Sequence, residues 1–534
     1  MLAAATLGVA AVYLHTIDFG FNYDDYHVVR PWTWSEAAQV LRGSWDPTRI
    51  EVPFYRPVSA WWYALRFHLF GLNAPAQRFV TLAGMIVCAV LTGLYVWRDT
   101  RRRRSAFVAT SLYAVHPLLP YSQGAWLTNQ MHLLASLAVL TGLLIWQRAR
   151  GRTAWAWWPV FAVQVVGFGV KEDTLMLLPL VLTLTVVRAR LVGDVRPPRA
   201  GVWVAGATVV AGLPLLRHAM LGQLGGYGTP TVAQGWANFR RGLDAVRLAG
   251  SRRPLEIASS VFVTVAFVGG SLAALFRRTT PGSYLLASGF LIVLFFNVPF
   301  VFVTKAEQRH LLALGSVIAL TGAIDVLIES VTVTLVRRSV AVILGLGALT
   351  LVPVARSVTA DFAPCSGYTL YTDGIVTGWW VVPPEIKKWL EAKPDACRAG
   401  SLVALPDALP SVTWAYDQEI DETGRPFRWT SDHAMTFVAL GARQLVFAVR
   451  GATASAAQPI HVRVQGPATD RTLRLTDSQW VSVEVPLRPT ILAHLRRTHR
   501  VDLAVSPTFV PRERDRDNPD TRHLGVQIRI LEPR

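Results

Sequence analysis

Residues 76–97 read AQRFVTLAGMIVCAVLTGLYVW, and residues 98–104 read RDTRRRR. A helix that crosses a bilayer needs about 20 mostly apolar residues. The run from Phe79 to Trp97 supplies them without one ionised side chain. The arginine block behind it belongs on the cytoplasmic side by the positive-inside bias, so this helix enters from outside. Apolar runs recur on both sides of it, at 1–17, 105–120, 130–147, 155–170, 174–189, 201–216, 257–276, 283–304, 309–329 and 338–357. Together they predict about eleven spans. The first run has no basic region before it and no obvious cleavage site, so a signal peptide is not expected.

Composition agrees. Of 534 residues 52% are hydrophobic, and mean hydropathy is +0.34, too apolar for an ordinary soluble enzyme. The formal charge of +18 invites a nucleic-acid reading. The arginine excess, however, lies largely between apolar runs, where membrane topology places it, and no nucleic-acid partner is expected. Zinc-type cysteine spacing, a P-loop and a dinucleotide fingerprint are all missing from the sequence. The expected class is mostly α: a polytopic transmembrane helix bundle over 1–357, followed over 358–534 by an extracytoplasmic β-sandwich domain.

Arg98 with Arg101–Arg104, then Arg148, Arg150 and Arg152, then Arg188, Arg190, Arg196 and Arg199 fall between alternate pairs of segments. Arg277-Arg278 and Arg337-Arg338 continue the alternation and make those loops cytoplasmic. The loops at 18–75, 121–129, 171–173, 217–256 and 305–308, and everything after 357, then face outward. The loop holding Arg240, Arg241, Arg247, Arg252 and Arg253 runs against this bias. Either it handles an anion or a segment nearby is miscounted. The predicted location is a multi-pass place in the cell membrane, with the lipid bilayer as the first partner.

The outer ends of the segments collect polar groups: Asp24-Asp25, Arg56, His116, Lys171-Glu172-Asp173, Lys305, Glu307, Arg309 and His310. Adjacent carboxylates beside a low-dielectric slab are costly, which marks Asp24-Asp25, flanked by Tyr23 and Tyr26, as a functional candidate. Each of the other groups has a plainer reading. Lys171-Glu172 could be a local ion pair, and Arg309 could reach the interface as arginines at helix ends do. Arg56-Pro57 could start an interfacial helix with Trp61 and Trp62 in an aromatic belt, and His116-Pro117 could end a segment.

From about residue 430 the pattern turns to period-two alternation, over Met435–Leu440, Leu445–Arg450, Ile460–Gln465, Trp480–Val485, Val501–Val505 and Val526–Ile530. Turn residues separate these runs, which predicts an antiparallel β-sandwich. A helix is expected at Pro384–Ala392. Cys88 reads as a small core residue, while Cys365 and Cys397 fall after the last segment and could pair. Trp414, Trp429 and Trp480 could bind carbohydrate, although plugging the sandwich core is the favoured role.

The order of short motifs resembles the GT-C superfamily of polyprenyl-phosphate-sugar-dependent glycosyltransferases, especially its protein O-mannosyltransferase and TMTC-like branch. The residues that carry it are Phe21-Asn22-Tyr23-Asp24-Asp25, Tyr55-Arg56-Pro57, Ala114-Val115-His116-Pro117, Trp126, Leu133-Leu134-Ala135, Val170-Lys171-Glu172 with Pro179, and Arg309-His310-Leu311. The resemblance covers roughly residues 10–320. Two departures stand out: tetratricopeptide repeats are lacking, and His310-Leu311 stands where relatives often have an aromatic pair. A sandwich in place of the repeats points to a glycan acceptor more than a protein.

The resemblance implies an inverting transfer of one sugar from a polyprenyl-phosphate donor to an extracytoplasmic hydroxyl on protein or cell-envelope glycan or lipid. Asp24 would be the general base with Asp25 as its neighbour. The leaving phosphate is a stable anion that needs cations more than an acid, a role for Lys171, Arg309, His310 and Arg56. Glu172, Tyr23 and His116 would support. No metal or other cofactor is expected, although a divalent cation could use the acidic pair beside His27. Two other readings are a transporter or flippase of polyprenyl-linked sugars and a non-catalytic glycan-binding envelope protein.

Overall fold

The computed structural model describes residues 1–18, 21, 25–30, 32–45, 54–120, 127–195, 198–222, 231–246, 254–276, 280–299, 310–360, 411–416, 418–515, 517–520 and 522–533. It is mostly helical, with an antiparallel sheet domain at the C-terminal end. The chain divides into two compact units. One comprises Met1–Ile17, Thr33–Tyr63 and Arg78–Ala363, the other Asp18–Trp32, Ala64–Gln77 and Pro364–Arg534.

The helices of the first part of the chain are α1 (Leu2–Tyr13), α2 (Asp25–Val28), α3 (Trp34–Gln39), α4 (Pro57–Phe70), α5 (Ala74–Thr100), α6 (Arg103–Ala114), α7 (Gln130–Ala149) and α8 (Trp158–Val170). They continue as α9 (Leu177–Leu191), α10 (Ala200–Leu221), α11 (Val232–Val246), α12 (Pro254–Phe276), α13 (Pro281–Asn297), α14 (His310–Ser330), α15 (Thr334–Leu349) and α16 (Leu351–Ala360). Six stretches are long and apolar enough to cross a membrane: Ala74–Thr100, Gln130–Ala149, Glu172–Leu191, Ala200–Leu221, His310–Ser330 and Thr334–Ser357. Shorter apolar helices cover Leu2–Ile17, Ala154–Val170, Ser260–Leu275 and Pro281–Asn297. By length and composition this is a multi-pass membrane chain.

In the first unit α14 is the central element, 89% of its most apolar window being buried. Glycines let α13 approach it. Gly282 and Gly289 on α13, and Gly315 and Gly322 on α14, recur two turns apart and so share a face. A Cβ at Gly315 would lie 2.7 Å from the backbone nitrogen of Val293, and one at Gly289 or Gly322 would run into the backbone of Ala319 or Leu286. Small residues at such crossings let dispersion and backbone contact replace the hydrophobic drive that lipid removes.

The arginine blocks do more than set topology. Asp99, at the end of α5, is ion-paired with Arg150 at 2.6 Å and accepts from Arg188 Nη1 at 2.8 Å, and Arg188 also grips Asp194. Across the bundle Arg102 pairs with Asp325 and Glu329, and Ser105 donates to Asp325 at 2.8 Å. Both networks sit at helix ends that the sequence makes cytoplasmic. The outer loop with the contrary charge contains α11, whose Arg240 and Arg241 are described; Arg247, Arg252 and Arg253 lie outside the described residues.

In the second unit the strands are β1 (Ser411–Trp414), β2 (Gln418–Ile420), β3 (Pro426–Trp429), β4 (His433–Ala439), β5 (Gln444–Arg450), β6 (Ile460–Gly466), β7 (Thr469–Leu475), β8 (Val481–Pro486), β9 (Thr498–Ser506) and β10 (Gln527–Pro533). They form two five-stranded sheets, ordered β1-β4-β9-β6-β7 and β2-β3-β10-β5-β8, antiparallel in every pairing given. Phe447, Val449, Val483 and Val485 of one sheet meet Val462, Val464, Val501 and Leu503 of the other in the core. Two short helices interrupt the strands, α17 (Ile491–Arg496) between β8 and β9 and α18 (Pro511–Arg514) between β9 and β10. Trp429 is buried with Phe427 and Leu524, the core role, and Trp480 packs partly buried beside them under Arg529. The side chain of Trp414, the expected helix at Pro384–Ala392, and Cys365 and Cys397 lie outside the described residues. Cys88 is buried, as a core residue would be.

Residues 64–77 belong to this unit. Asn73 Nδ2 donates to the Leu495 carbonyl at 2.7 Å, Arg496 Nε donates to the His68 carbonyl at 2.9 Å, and Phe67 meets Phe437 edge-on at 5.5 Å. Arg500 donates to His68 Nδ1 at 2.7 Å while gripping Asp502 with both arms of its fork.

Candidate functional site

Five helix ends of the first unit converge on one buried polar cluster. Arg56 immediately precedes α4, where Pro57 opens the helix as its fixed φ and missing N–H favour. Lys171 ends α8 in extended backbone (φ −161°, ψ 139°), and a tight turn over Glu172–Met176 leads into α9. Gln164 fixes that junction: its Nε2 donates to the Thr174 carbonyl at 3.1 Å and its Oε1 accepts from the Leu178 amide at 3.0 Å. His132 stands in the first turn of α7, His310 opens α14, and Arg217 lies in the last turns of α10.

Arg56 Nε and Nη2 both reach Glu172 Oε2 at 2.9 Å, and Arg217 Nε lies 4.0 Å from Glu172 Oε1. Lys171 Nζ donates to Asp173 Oδ2 at 2.7 Å. The same oxygen is 3.8 Å from His310 Nε2. His310 Nδ1 faces His132 Nδ1 at 2.9 Å with the rings nearly perpendicular. A hydrogen bond between two ring nitrogens holds one proton, so at least one of these imidazoles is neutral. Arg56 Nη1 lies 3.2 Å from the thioether of Met131, a weak acceptor.

Lys171 and Glu172 do not form the local ion pair that was their plainer reading. Lys171 binds Asp173, two residues on, while Glu172 turns to Arg56 and Arg217. Among the described residues, with neutral imidazoles, the cluster holds three cations, Arg56, Lys171 and Arg217, and two carboxylates, Glu172 and Asp173, a surplus of one positive charge. All but Glu172 are buried. A charge surplus in a low-dielectric setting attracts an anion strongly, and the arginine fork and the lysine are the donors phosphate recognition uses.

The structure brings Arg56, Lys171, Glu172 and His310 together and leaves His116 out. His116 Nδ1 accepts from the Leu118 amide at 3.2 Å, which puts its proton on Nε2. That nitrogen donates to Ser316 Oγ at 2.9 Å, and Ser316 donates to the Ala313 carbonyl. With both ring nitrogens engaged, His116 pins the end of α6 to α14.

Sequence reasoning passed over His132 and Arg217 as site residues, and it named Asp173 only within the polar group Lys171-Glu172-Asp173, without a role. Arg217 carried a usable signal, being an arginine at the outer end of an apolar segment, against the inward bias. His132 looked like part of the α7 pattern and had none.

Of the acidic stretch, Asp24 and Tyr23 lie outside the described residues, as do Arg309, Lys305, Glu307 and Trp126. Asp25 opens α2 in the second unit and its side chain is fully buried. Trp32 closes the short turn by donating Nε1 to the Val28 carbonyl at 3.0 Å, and the buried Arg30 guanidinium stacks 3.8 Å over the Trp32 ring. Among the described residues, no group of three or more His, Cys, Asp or Glu side chains is placed to hold a metal ion.

No protein-family model and no curated protein matches this chain. It is similar to solved structures of the oligosaccharyltransferase AglB from Archaeoglobus fulgidus, one of them in complex with an inhibitory peptide and a dolichol-phosphate. That match has 14% identity and a TM-score of 0.41, covering 67% of this chain and 55% of the other. An A. fulgidus oligosaccharyltransferase tethered to an acceptor peptide gives 13%, 0.42, 67% and 54%. The arabinosyltransferase EmbB from Mycobacterium smegmatis gives 11% and 0.33, over 99% of this chain and 64% of its own. The chain spans about half the length of the archaeal proteins. Likeness this remote carries no activity, donor or acceptor over to it.

Proposed function

We propose that this chain is an integral membrane glycosyltransferase that moves one sugar from a polyprenyl-phosphate donor to an extracytoplasmic hydroxyl. The observation that carries the reading is the buried cluster of Arg56, Lys171 and Arg217, which outnumber the carboxylates beside them among the described residues and lie at helix ends that the arginine pattern of the sequence reads as outward. A soluble-anion site would not need to sit where apolar spans end; a phosphate borne on a lipid does. The acceptor oxygen attacks the anomeric carbon, the bond from that carbon to the phosphate oxygen breaks, and polyprenyl phosphate departs with the electron pair. The acceptor's proton passes to a carboxylate, assigned to Asp24 with Asp25 beside it, and the single displacement inverts the anomeric centre. Arg309 belongs with the phosphate-binding cations on the same reading. The acceptor is a protein or a cell-envelope glycan or lipid, and the C-terminal unit stands on the same extracytoplasmic side.

Purified protein incubated with polyprenyl-phosphate sugars, read by release of free polyprenyl phosphate, tests this. Turnover is expected in the natural chain and a loss of at least 10²-fold in Asp24→Asn, with donor binding retained. Equal turnover in Asp24→Asn would remove the base from this position. Donor binding without turnover in the natural chain would favour a transporter or a glycan-binding protein.

A further inference from the structure

Among the described residues, the sandwich carries an apolar face that belongs to neither of its hydrophobic clusters. On α17, Ile491 is 82% exposed, and Leu492 and Leu495 are 41% and 40% exposed, while Ala493 turns inward. Leu495 lies one helical turn from Ile491, so the two share a side of the helix. The helix is deliberately bounded: Thr490 Oγ1 accepts from the Ala493 amide at 3.0 Å, and Arg497 ends it at φ 57°. Just ahead of it in the chain, the turn before β5 meets the turn after β8, where the Leu487 amide donates to the Arg443 carbonyl at 2.8 Å. This sets exposed Arg443 beside Leu487 and exposed Arg488, three residues ahead of Ile491 in the chain, with exposed His494 on the helix itself.

Position supplies the occupant. Leu495 and Arg496 are the residues bonded to Asn73 and His68, and Asn73 immediately precedes α5, the longest apolar helix at 27 residues. At 1.5 Å per residue that helix is about 40 Å long, the thickness of a bilayer with its headgroups and about 10 Å more than the hydrocarbon alone. Its first turn therefore emerges among headgroups, and α17 is tied to the residues just before it.

We propose that α17 seats in the headgroup layer of the membrane this chain spans, with Ile491, Leu492 and Leu495 dipping toward the acyl chains and Arg443 and Arg488 pairing with anionic lipid phosphates. Apolar side chains rimmed by basic ones are the pattern of an interfacial helix. The proposal rests on the membrane reading of α5 and is independent of the transferase chemistry.

An environment-sensitive fluorescent amino acid encoded at position 491 tests it, with the same residue at Ala456, in the β5–β6 turn at the other end of β5, as the control. The full chain is reconstituted into vesicles of phosphatidylcholine and phosphatidylglycerol containing lipids brominated near the top of the acyl chain. Quenching at 491 is expected to exceed that at 456 several-fold, and to fall in Arg443→Glu/Arg488→Glu when anionic lipid is present but not in pure phosphatidylcholine. Equal quenching at the two positions overturns the proposal. So does protection of 491 that persists in detergent together with crosslinking between copies, which would assign the face to a second chain. Quenching indifferent to the arginine reversals in anionic vesicles overturns the headgroup pairing.

Discussion

Lys171 and Glu172 are adjacent in sequence yet bind different partners, and their separate tests follow from that. On the proposed reading, Lys171→Met removes one of the buried cations that would hold the donor phosphate. The expected cost is roughly 10²–10³-fold in kcat/KM for a polyprenyl-phosphate sugar, by analogy with deleting one preorganised anion donor. Arg56→Lys keeps the charge but loses the fork that holds Glu172 at two nitrogens, and a measurable loss of donor affinity should show that shape matters. Glu172→Gln is a stability experiment: it strips Arg56 and Arg217 of their shared carboxylate, and breaking such a pair costs about 3–5 kcal/mol, read as a lowered midpoint in a detergent unfolding titration. An unchanged midpoint would show that water or lipid already compensates those guanidiniums. At this scale the sequence told part of the story. It identified ionisable residues at outer helix ends, because charge there is expensive and therefore conspicuous. It missed that Lys171 pairs with Asp173, because the backbone turns extended at Lys171 and then tightens, a change of direction that spacing does not encode.

Helices were legible as elements wherever about 20 apolar residues ran together, and the six expected strands all appear as β4, β5, β6, β8, β9 and β10. What escaped was β1, β2 and β3, each too short to show alternation, and β7, whose TDRTLRL is exposed along most of its length. The contact of α13 with α14 was not legible either, because a glycine in an apolar run reads as composition until a neighbouring backbone is seen against it. Gly322→Val puts branched carbon into the backbone of Leu286. It should cost about 1–3 kcal/mol or more through overpacking and reduce the yield of folded protein, whereas the same change at Gly345, which has open space, should not. Similar behaviour of the two variants in size-exclusion profiles and thermal melts would argue against a close α13–α14 crossing.

Across the molecule the division into units was the least legible feature, since Asp18–Trp32 and Ala64–Gln77 pack with a domain that begins hundreds of residues later. The second unit also has an acid-side signature. Burial, with Arg500 and Arg496 behind it, lowers His68 to about 4; Asp502 opposes them, and His433 adds to them. The folded value lies below that of an unfolded histidine, near 6.5. The unfolded chain therefore binds more protons between pH 6.5 and 4, and stability present above 6.5 is lost as pH falls through that window. His68→Gln should flatten the decline when unfolding of the sheet domain is followed from pH 7.5 to 4.5. An equal slope in both proteins would assign the decline to other groups.

The clasp formed by Asn73, His68 and Phe67 with Leu495, Arg496, Arg500 and Phe437 also sets a timetable for biogenesis. Ribosomes add about 5–20 residues per second, so the early half waits on the order of half a minute or longer, its polar groups undocked, for the late half to be translated. During that interval the nascent chain offers a stable target to a chaperone or protease. Termination before Leu495 would leave it in that state permanently.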